Sequence, residues 1–380
     1  MAPEKTATDL IDSTKNKEPL KIAVIGDNVN NWFSGRFKTL KNFSKGLNSD
    51  FLVTGKNLKI QNKINEANSA TTIYFDSFQQ LANYVNNTNY DFVLVDDKFV
   101  SNYPIIRKRI ISYIYPIRGL FGIGGISTKN VKGFREQLKY KFMQTIFNKF
   151  YTKMKYQNIK KASIILTQSY VASGILRYYY GIIPDIVIGN PVDPTLFNPK
   201  VEPKLKVESK EVVIYLGSGN GDTDTEVLQE VCKLFSESGF KLNLFGNKER
   251  VPFVNSLNYE YFENISDEKL SALYSRSWMT IILQIDEPIS LVSLESQACG
   301  TPVISSYPEE SIQTFSSGFT ASSANIMPLI RSLFSSYHGY YNFDKYQKLC
   351  EKALENAQNY YLKNLGAKII EYIENYLEVE

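Results

Sequence analysis

Short, nearly continuous apolar runs alternate with amphipathic segments along most of the chain, and this alternation constrains the fold more than any other feature. In the first half the runs include KIAVIGD, DFLVTG, TTIYFD, DFVLVDD, ASIILTQS and DIVIGN, with segments such as SFQQLANYVNN between several of them. Strands of a parallel sheet covered on both faces are apolar throughout, because both faces are buried. The pattern therefore predicts an α/β chain with parallel sheets between layers of helices.

A charged stretch with several prolines interrupts this pattern near the middle of the 380-residue chain, between Pro194 and Glu211. The alternation then starts again with EVVIYLG, FKLNLFGN, WMTIILQI and TPVISSY, separated by helical segments. A chain of this length exceeds one ordinary hydrophobic core, so two Rossmann-like domains facing each other across a cleft are expected. We predict a loose polar tail (1–20), a first domain (21–194), a linker (195–210), a second domain (211–345) and C-terminal helices (346–380).

The composition excludes several classes of protein. The three cysteines, Cys232, Cys299 and Cys350, form no CxxC pair, which argues against a disulfide framework or a zinc knuckle and favours a reducing, cytoplasmic setting. No run of about 18 uncharged apolar residues is present, so we expect no membrane-spanning helix. The first twenty residues lack the apolar segment of a signal peptide.

Positive charge is concentrated in residues 101–161, which carry fourteen Lys and Arg residues against the single acid Glu136. The net charge of this segment is +13, against +4 for the whole chain. Large apolar residues recur in it at intervals of four, from Phe134 to Phe150, so a basic amphipathic helix that contacts a membrane surface is one interpretation. A core helix with a solvated basic face is the alternative. No nucleic-acid recognition motif accompanies the charge, and we expect no nucleic-acid partner.

The stretch EPISLVSLESQACGTPV, Glu287 to Val303, combines two carboxylates with a strand-to-helix turn. The preceding strand brings Glu287 to the carboxyl edge of the sheet, where ligands of open α/β sheets bind. Ser290 is placed to cap a helix, and the free N–H groups at Ser290 and Leu291 form an anion site. Glu295 lies on the helix, where an ionised carboxylate accepts two hydroxyl hydrogen bonds, such as those of a ribose.

This stretch resembles the Glu-x7-Glu motif of the GT-B fold retaining glycosyltransferases, family 4 in particular, which read approximately E-P-F-G-L-V-x-L-E-A-M-A-C-G-T-P-V. The segment IVIGNPVDPTLFNP resembles the family's V-I-x-N-G-V-D-x-x-x-F-x-P entry to the linker, with Pro191 in place of the glycine. ASIILTQSYVASGI resembles the strand and helix before it. The resemblance implies a GT-B fold and an enzyme that uses a nucleotide-sugar donor as substrate, without a metal or other cofactor.

The resemblance also implies roles for individual residues. Glu295 is then the ribose ligand and Glu287, the candidate catalytic residue, contacts the sugar, while the amides of Ser290 and Leu291 hold the diphosphate. In this family the leaving phosphate is usually considered to take the acceptor's proton in a front-face reaction. A glycan or lipid-linked acceptor at a membrane surface is expected, with the protein cytoplasmic or peripheral at the cytoplasmic face of the membrane.

The chain departs from the family pattern where a Gly-Arg pair and a later Lys usually face the diphosphate. Here Gly217 and Ser218 occupy the Gly-Arg positions, and no lysine follows before Lys233. We consider three cations as replacements, namely Lys248, Arg250 and, in the first domain, Arg36. The family's first-domain histidine has no counterpart, because the single histidine, His338, lies in the C-terminal region, where a surface or packing role is expected.

Other polar and glycine positions have two interpretations each. Gly26 and Gly35 flank the first strand-to-helix loop, where a glycine allows either close approach to phosphate or acceptor, or a tight turn. The acids of Asp222-Thr223-Asp224 imitate a metal-binding DxD but suit a helix N-terminus better, so we expect no metal site. Asp96-Asp97 is interpreted as solvated strand-edge charge.

Two functions remain open from the sequence. The first is a retaining glycosyltransferase, and the alternative is a non-catalytic GT-B protein that binds nucleotide or membrane as a scaffold subunit, which the missing cations and histidine favour. A nucleotide-sugar 2-epimerase of the same fold is disfavoured, because those enzymes generally use several acid/base residues including histidine.

Overall fold

A computed structural model describes residues 19–28, 34–55, 71–97, 99, 104–114, 157–217, 225–250, 257–283, 289–307, 310, 312, 316–338 and 343–379. Some predictions fall outside these residues: those for Glu287, Ser218, Asp222–Asp224 and the amphipathic segment from Phe134 to Phe150. The side chains of Arg250 and His338 are also outside the description.

The first domain is a parallel sheet with the strand order β3-β2-β1-β4-β5-β6-β7. Its strands are β1 (Ile22–Asn28), β2 (Asp50–Thr54), β3 (Thr72–Phe75), β4 (Phe92–Asp96), β5 (Arg109–Ile114), β6 (Ile164–Thr167) and β7 (Ile186–Val187). The described helices of this domain are α1 (Gly35–Gly46), α2 (Phe78–Asn87) and α3 (Tyr170–Tyr180). Successive residues of the central strands, such as Val24 and Ile25, are fully buried in separate clusters on opposite faces, so the sheet is covered on both sides.

The second domain repeats this architecture with the strand order β10-β9-β8-β11-β12-β13, again with parallel pairing among the described strands. Its strands are β8 (Glu211–Tyr215), β9 (Lys241–Phe245), β10 (Tyr259–Phe262), β11 (Met279–Ile282), β12 (Val303–Ser305) and β13 (Gly318–Thr320). The helices that follow the first domain are α4 (Pro203–Ser209), α5 (Thr225–Glu237), α6 (Asp267–Arg276), α7 (Leu291–Ala298) and α8 (Ser323–His338). The predicted fold class, two parallel α/β domains, is confirmed.

Two C-terminal helices connect the domains: α9 (Phe343–Gln358) and α10 (Leu362–Val379). Helix α9 packs on the second domain, where its Asn356 Nδ2 donates to Gln297 Oε1 of α7 at 2.6 Å. Helix α10 crosses back and buries Leu365 and Ile369 in the core of the first domain. It approaches α1 so closely that a Cβ on Gly366 would overlap the backbone of α1. The chain end therefore fastens the second domain to the first.

Part of the basic segment is a core strand rather than a surface. Strand β5 lies between β4 and β6, and Ile110 to Ile114 are buried in it. Arg109, at the exposed start of the strand, lies over the ring of Phe92 with its guanidinium carbon 5.6 Å from the ring centroid. Any membrane surface formed by residues 101–161 therefore excludes β5. Over the part of the chain that the structure describes, no helix combines the length and apolar character needed to cross a bilayer.

Candidate functional site

The strand order of the second sheet reverses between β8 and β11, which are neighbours although five described elements separate them along the chain: α5, β9, a short 3₁₀ helix, β10 and α6. The segments that leave these two strands at their carboxyl ends therefore diverge, and ligands of open α/β sheets bind in the crevice between such segments. Leu216 and Gly217 begin the segment after β8, and Ile289 and Ser290 end the segment after β11. The structure thus places two predicted donor-binding positions, Gly217 and Ser290, beside the switch point.

Helix α7 begins at this crevice, and its N-terminal turn is capped differently from other helices. Ser290 is the N-cap and is 2% exposed, but its side chain makes no cap hydrogen bond. Four other N-cap serines accept a hydrogen bond from the amide three residues later: Ser34, Ser77, Ser169 and Ser266. The first-turn amides at Leu291 and beyond are therefore not capped by the Ser290 hydroxyl. Such a terminus attracts an anion, worth roughly 0.3 to 1 kcal/mol per charge.

Glu295 lies in α7 one turn from its start, and its carboxylate is 2% exposed. Its Oε1 accepts a hydrogen bond from Nζ of Lys38, on helix α1 of the first domain, at 2.6 Å. The same Nζ lies 2.7 Å from Oδ1 of Asp267, the first residue of α6. Within the described residues, the other oxygen of Glu295, Oε2, accepts no hydrogen bond. One oxygen is thus fixed across the cleft and the other is available to a ligand hydroxyl.

The pKa of Glu295 is raised to about 7, even though the carboxylate faces an ammonium group. Burial is the largest cause, because it penalises the charged form; Lys38 opposes it, and the nearby carboxylate of Asp267 adds to it. The pKa of Lys38 is also raised, since the attraction of Glu295 and Asp267 outweighs the effect of its own burial. Glu295 therefore titrates near neutral pH, where the charge state of a binding residue responds to small changes around it.

The entry to α7 is held by two amide side chains of the first domain. The carbonyl oxygen of Ile289 accepts hydrogen bonds from Gln168 Nε2 at 2.6 Å and from Asn190 Nδ2 at 3.0 Å. Asn190 is oriented in turn by the hydroxyl of Tyr113, which donates to its Oδ1 at 2.9 Å. Asn190 was among the positions of the linker motif, but nothing in the sequence indicated Gln168 or Lys38 as site residues.

At the carboxyl edge of the first sheet, Arg36 is paired with Asp96, the last residue of β4, and with Asp97, which follows it. Its Nη1 lies 2.8 Å from Asp96 Oδ1 and 3.0 Å from Asp97 Oδ1. Both aspartates are buried, with relative exposures of 1% and 2%. The interpretation of this pair as solvated strand-edge charge is therefore wrong. The positive charge of Arg36 is compensated by the two buried carboxylates.

The glycines of the first domain occupy different settings. Gly26 lies inside β1, where a Cβ would come within 2.5 Å of the Phe51 ring and 2.9 Å of a Val53 methyl, so packing alone requires glycine there. Gly35 is the first residue of α1, directly after its N-cap. In the second domain, Gly217 has φ +79°, a left-handed conformation that glycine adopts without strain, and its carbonyl accepts from the amide of Asn247 at 2.9 Å.

Lys248 lies in a short 3₁₀ helix (Lys248–Arg250) that follows β9 at the same edge of the second sheet. Its side chain is 70% exposed, and its Nζ lies 3.8 Å from Glu263 Oε2, so this ion pair is loose and solvated. Lys248 is free to move toward a ligand at little cost. In the described part of the chain, no group of three or more His, Cys, Asp or Glu residues is arranged to hold a metal ion.

Comparison with known proteins relates the second domain to one family. Residues 198–333 match the family model described as glycosyl transferases group 1. This region contains the switch point of the second sheet, the N-terminus of α7 and Glu295. No curated protein matches the chain significantly.

Solved structures resemble the chain over nearly its full length. Sucrose-phosphate synthase from Thermosynechococcus elongatus has a TM-score of 0.63 at 12% identity, covering 95% of this chain and 100% of its own. Alr3699/HepE from Anabaena, in complex with UDP and glucose, has a TM-score of 0.64 at 14% identity, covering 94% and 100%. The N-terminal domain of trehalose-6-phosphate phosphatase from Candida albicans has a TM-score of 0.57 at 10% identity, covering 94% and 100%. At these identities the similarity establishes the fold, which is GT-B.

Proposed function

We propose that this protein is a retaining glycosyltransferase that transfers a sugar from a nucleotide-sugar to an acceptor. The observation that carries the proposal is the arrangement of α7, in which the buried carboxylate of Glu295 stands one turn from an N-terminus without a side-chain cap. A carboxylate and a set of backbone N–H groups at this separation suit a ribose diol and a diphosphate, which are adjacent in a nucleotide. The family match over the same domain supports the proposal.

In this proposal the donor lies along the N-terminal turn of α7. Glu295 Oε2 accepts the ribose hydroxyls, and the amides of Ser290 and Leu291 donate to the diphosphate. Glu287 contacts the transferred sugar. The Anabaena structures contain UDP or UDP-glucose, which supports a uridine nucleotide as the first donor to test.

The chemical step needs little covalent participation by the protein. The acceptor oxygen forms a bond to the anomeric carbon on the face that the diphosphate leaves, the carbon–oxygen bond to the phosphate breaks, and the acceptor proton passes to a phosphate oxygen. The protein positions the two substrates and stabilises the negative charge gained by the diphosphate. Preorganised donors such as the α7 amides each contribute on the order of 100-fold to such a step. The proposal requires no metal or other cofactor.

The cation that assists the leaving group is proposed to come from the 3₁₀ helix after β9. Lys248 is exposed and only loosely paired, so moving it toward a diphosphate costs little. Arg250 is in the same turn. Arg36 is the weaker candidate of the three, because Asp96 and Asp97 compensate its charge.

We further propose a glycan or lipid-linked acceptor at the cytoplasmic face of a membrane, with peripheral contact through the basic segment 101–161. Each Lys or Arg near an anionic bilayer contributes roughly 1 kcal/mol, so part of the +13 charge is sufficient. Flotation with vesicles that contain anionic lipid tests this contact. Equal flotation with neutral vesicles would argue against it.

The alternative, a non-catalytic scaffold that binds nucleotide or membrane, is favoured by one observation. Lys38 and Arg36 are each paired with two carboxylates, so neither brings net positive charge to the cleft. Binding of UDP without hydrolysis or transfer of any UDP-sugar, across a range of acceptors, would support this alternative.

Ligand-induced thermal stabilisation tests the proposed donor site directly. UDP is expected to raise the Tm of the protein, and Glu295→Gln is expected to abolish that rise, because an amide keeps the shape but is uncharged and presents N–H donors in place of one acceptor oxygen. Glu268→Gln on the exposed face of α6 is the matched control and should respond like the wild type. If no nucleotide from a panel of bases stabilises the wild type, the proposal is wrong.

A further inference from the structure

We propose that Lys38 of the first domain is a positioning residue for the nucleotide: it reaches across the cleft and keeps the carboxylate of Glu295 ionised and oriented toward the ribose. The inference rests on the proposed function, since it assigns Glu295 to the nucleotide. It goes further in making the donor site of the second domain depend on a side chain of the first.

The side chain of Lys38 is fixed on three sides. Its Nζ lies 2.6 Å from Glu295 Oε1 and 2.7 Å from Asp267 Oδ1, which places the ammonium between two helices of the second domain. It also lies 5.0 Å from the ring centroid of Phe197, a buried residue of the connection between the domains. An ammonium over an aromatic face and between two carboxylates is held by both electrostatic attractions. Because the ammonium group of Lys38 is held in this position, it fixes the orientation of the Glu295 carboxylate.

Only one oxygen of Glu295 is used by this contact. Lys38 binds Oε1, and within the described residues Oε2 accepts no hydrogen bond. An ionised carboxylate accepts at both oxygens, whereas a protonated one carries a donor in place of one acceptor. A ribose diol offers two donors, so it is best matched by the ionised form. Lys38 therefore affects ligand binding through the charge of Glu295, without contacting the ligand itself.

The charges around Glu295 make it sensitive to the loss of Lys38. Asp267 of α6 faces it as a second carboxylate, and the Tyr274 hydroxyl of α6 and the Cys299 thiol at the end of α7 interact with it electrostatically. On α1, Lys41 faces Asp267 and Lys38, but burial and the neighbouring lysines lower its pKa to about 8. With Lys38 present the pKa of Glu295 is already about 7, so without this cation the buried carboxyl binds a proton at neutral pH.

Binding of UDP to the full-length protein, measured from about pH 6 to about pH 9, tests the inference. Wild-type affinity should rise with pH as Glu295 ionises near pH 7. In Lys38→Met the midpoint should move upward by roughly one to three pH units, because an opposite charge within hydrogen-bond distance shifts a carboxyl by that amount. At pH 7 this weakens binding by roughly tenfold or more. The titration of UDP itself is common to all variants and cancels in the comparison.

Three further variants keep the test decisive. Lys38→Arg should retain the wild-type midpoint, and Lys269→Met, which removes an exposed lysine on α6, should also leave it unchanged. Asp267→Asn should move the midpoint downward, because it removes the carboxylate that repels Glu295. If Lys38→Met does not fold, Lys38→Gln takes its place, because it keeps a hydrogen-bond donor without the charge and should give the same upward shift.

The inference is overturned if Lys38→Met binds UDP with the wild-type midpoint, or if it binds UDP more tightly, as expected for a lysine that blocks the site. If the wild type binds no nucleotide, the proposed function fails separately. The titration of the Glu295 carboxyl, followed by carbon-13 NMR in the ligand-free protein, then still reports whether Lys38 keeps this group ionised. An unchanged Glu295 titration in Lys38→Met would overturn the inference in that case.

Discussion

Replacing Lys206 with methionine should destabilise the protein strongly, although Lys206 forms no ion pair with a carboxylate within the described residues. Lys206 lies on α4, in the connection between the domains, and is 1% exposed. Its Nζ donates to the carbonyl oxygens of Cys299 at 2.8 Å and Gly300 at 2.9 Å, and to Thr301 Oγ1 at 2.7 Å. The two carbonyls end helix α7, where the helix dipole is negative. The lysine thus satisfies the C-terminus of the helix that carries Glu295.

Two opposing effects determine how much Lys206 contributes to the free energy of unfolding. Three hydrogen bonds from a charged donor contribute about 2 kcal/mol each, or about 6 kcal/mol together. Against this, burial lowers the pKa of Lys206 from 10.5 to about 8, and a difference of about 2.5 units corresponds to a cost of about 3 kcal/mol for the charged form. The net contribution at pH 7 is therefore about 3 kcal/mol. Methionine fills the space of the lysine stem but leaves three buried acceptors without a donor.

The assay is urea unfolding of Lys206→Met beside Lys204→Met, an exposed lysine on the same helix. Lys206→Met should be about 3 kcal/mol less stable than the control, and the difference should grow as the pH rises from about 8. The sign follows because the folded-state pKa is lowered: above pH 8 the unfolded state binds more protons than the folded state, so the free energy of unfolding rises with pH. The free energy of unfolding of Lys206→Met should not show this rise, because methionine does not titrate. Equal stability of the two variants, within about 0.5 kcal/mol, would refute the reasoning.

Two other perturbations test the contacts that hold the domains together. Gly366→Ala should destabilise the protein by about 2 kcal/mol or more, because the new Cβ would overlap the carbonyl of Gly46. Gly174→Ala on α3 is the control: a Cβ there meets nothing within 4 Å, so this variant should be more stable by up to about 1 kcal/mol. Thermal unfolding of both variants checks these expectations. Asp193→Asn should remove part of the acid sensitivity of the fold. Burial raises the pKa of Asp193, but hydrogen bonds from Lys45 and a neighbouring threonine outweigh it, so the pKa is lowered. The contribution of Asp193 to the free energy of unfolding is therefore present above its ordinary pKa near 3.8 and is lost as the pH falls through the folded-state pKa. A wild-type acid-unfolding curve that coincides with that of Asp193→Asn would contradict this assignment.

Most strands of both sheets were predictable because buried parallel strands are apolar on both faces. Strands β5, β10 and β13 were not predicted, and β13 has only three residues. Strand β5 is apolar, but the sequence on either side of it is basic, and that charge indicated a surface role for the whole segment. Strand β10 lies at the edge of its sheet with two exposed positions, so its sequence, YEYF, is not continuously apolar.

The linker contains another element that the sequence concealed. Helix α4 reads PKLKVES, which as a charged, proline-containing segment is typical of a loop. Its lysines are indistinguishable in the sequence, yet Lys204 is exposed and Lys206 is buried. Only the position of the helix against the end of α7 distinguishes them.

The sequence by itself determined the two-domain α/β fold and the position of α7, because apolar periodicity and helix capping at Ser290 act over short stretches of chain. Tertiary structure alone decided what surrounds Glu295. Lys38 is 257 positions away and Gln168 is 121 positions from Ile289, so no local pattern relates these residues. Pairing at such separations depends on how the two domains meet, and the return of α10 to the first domain fixes that arrangement through packing rather than through any motif.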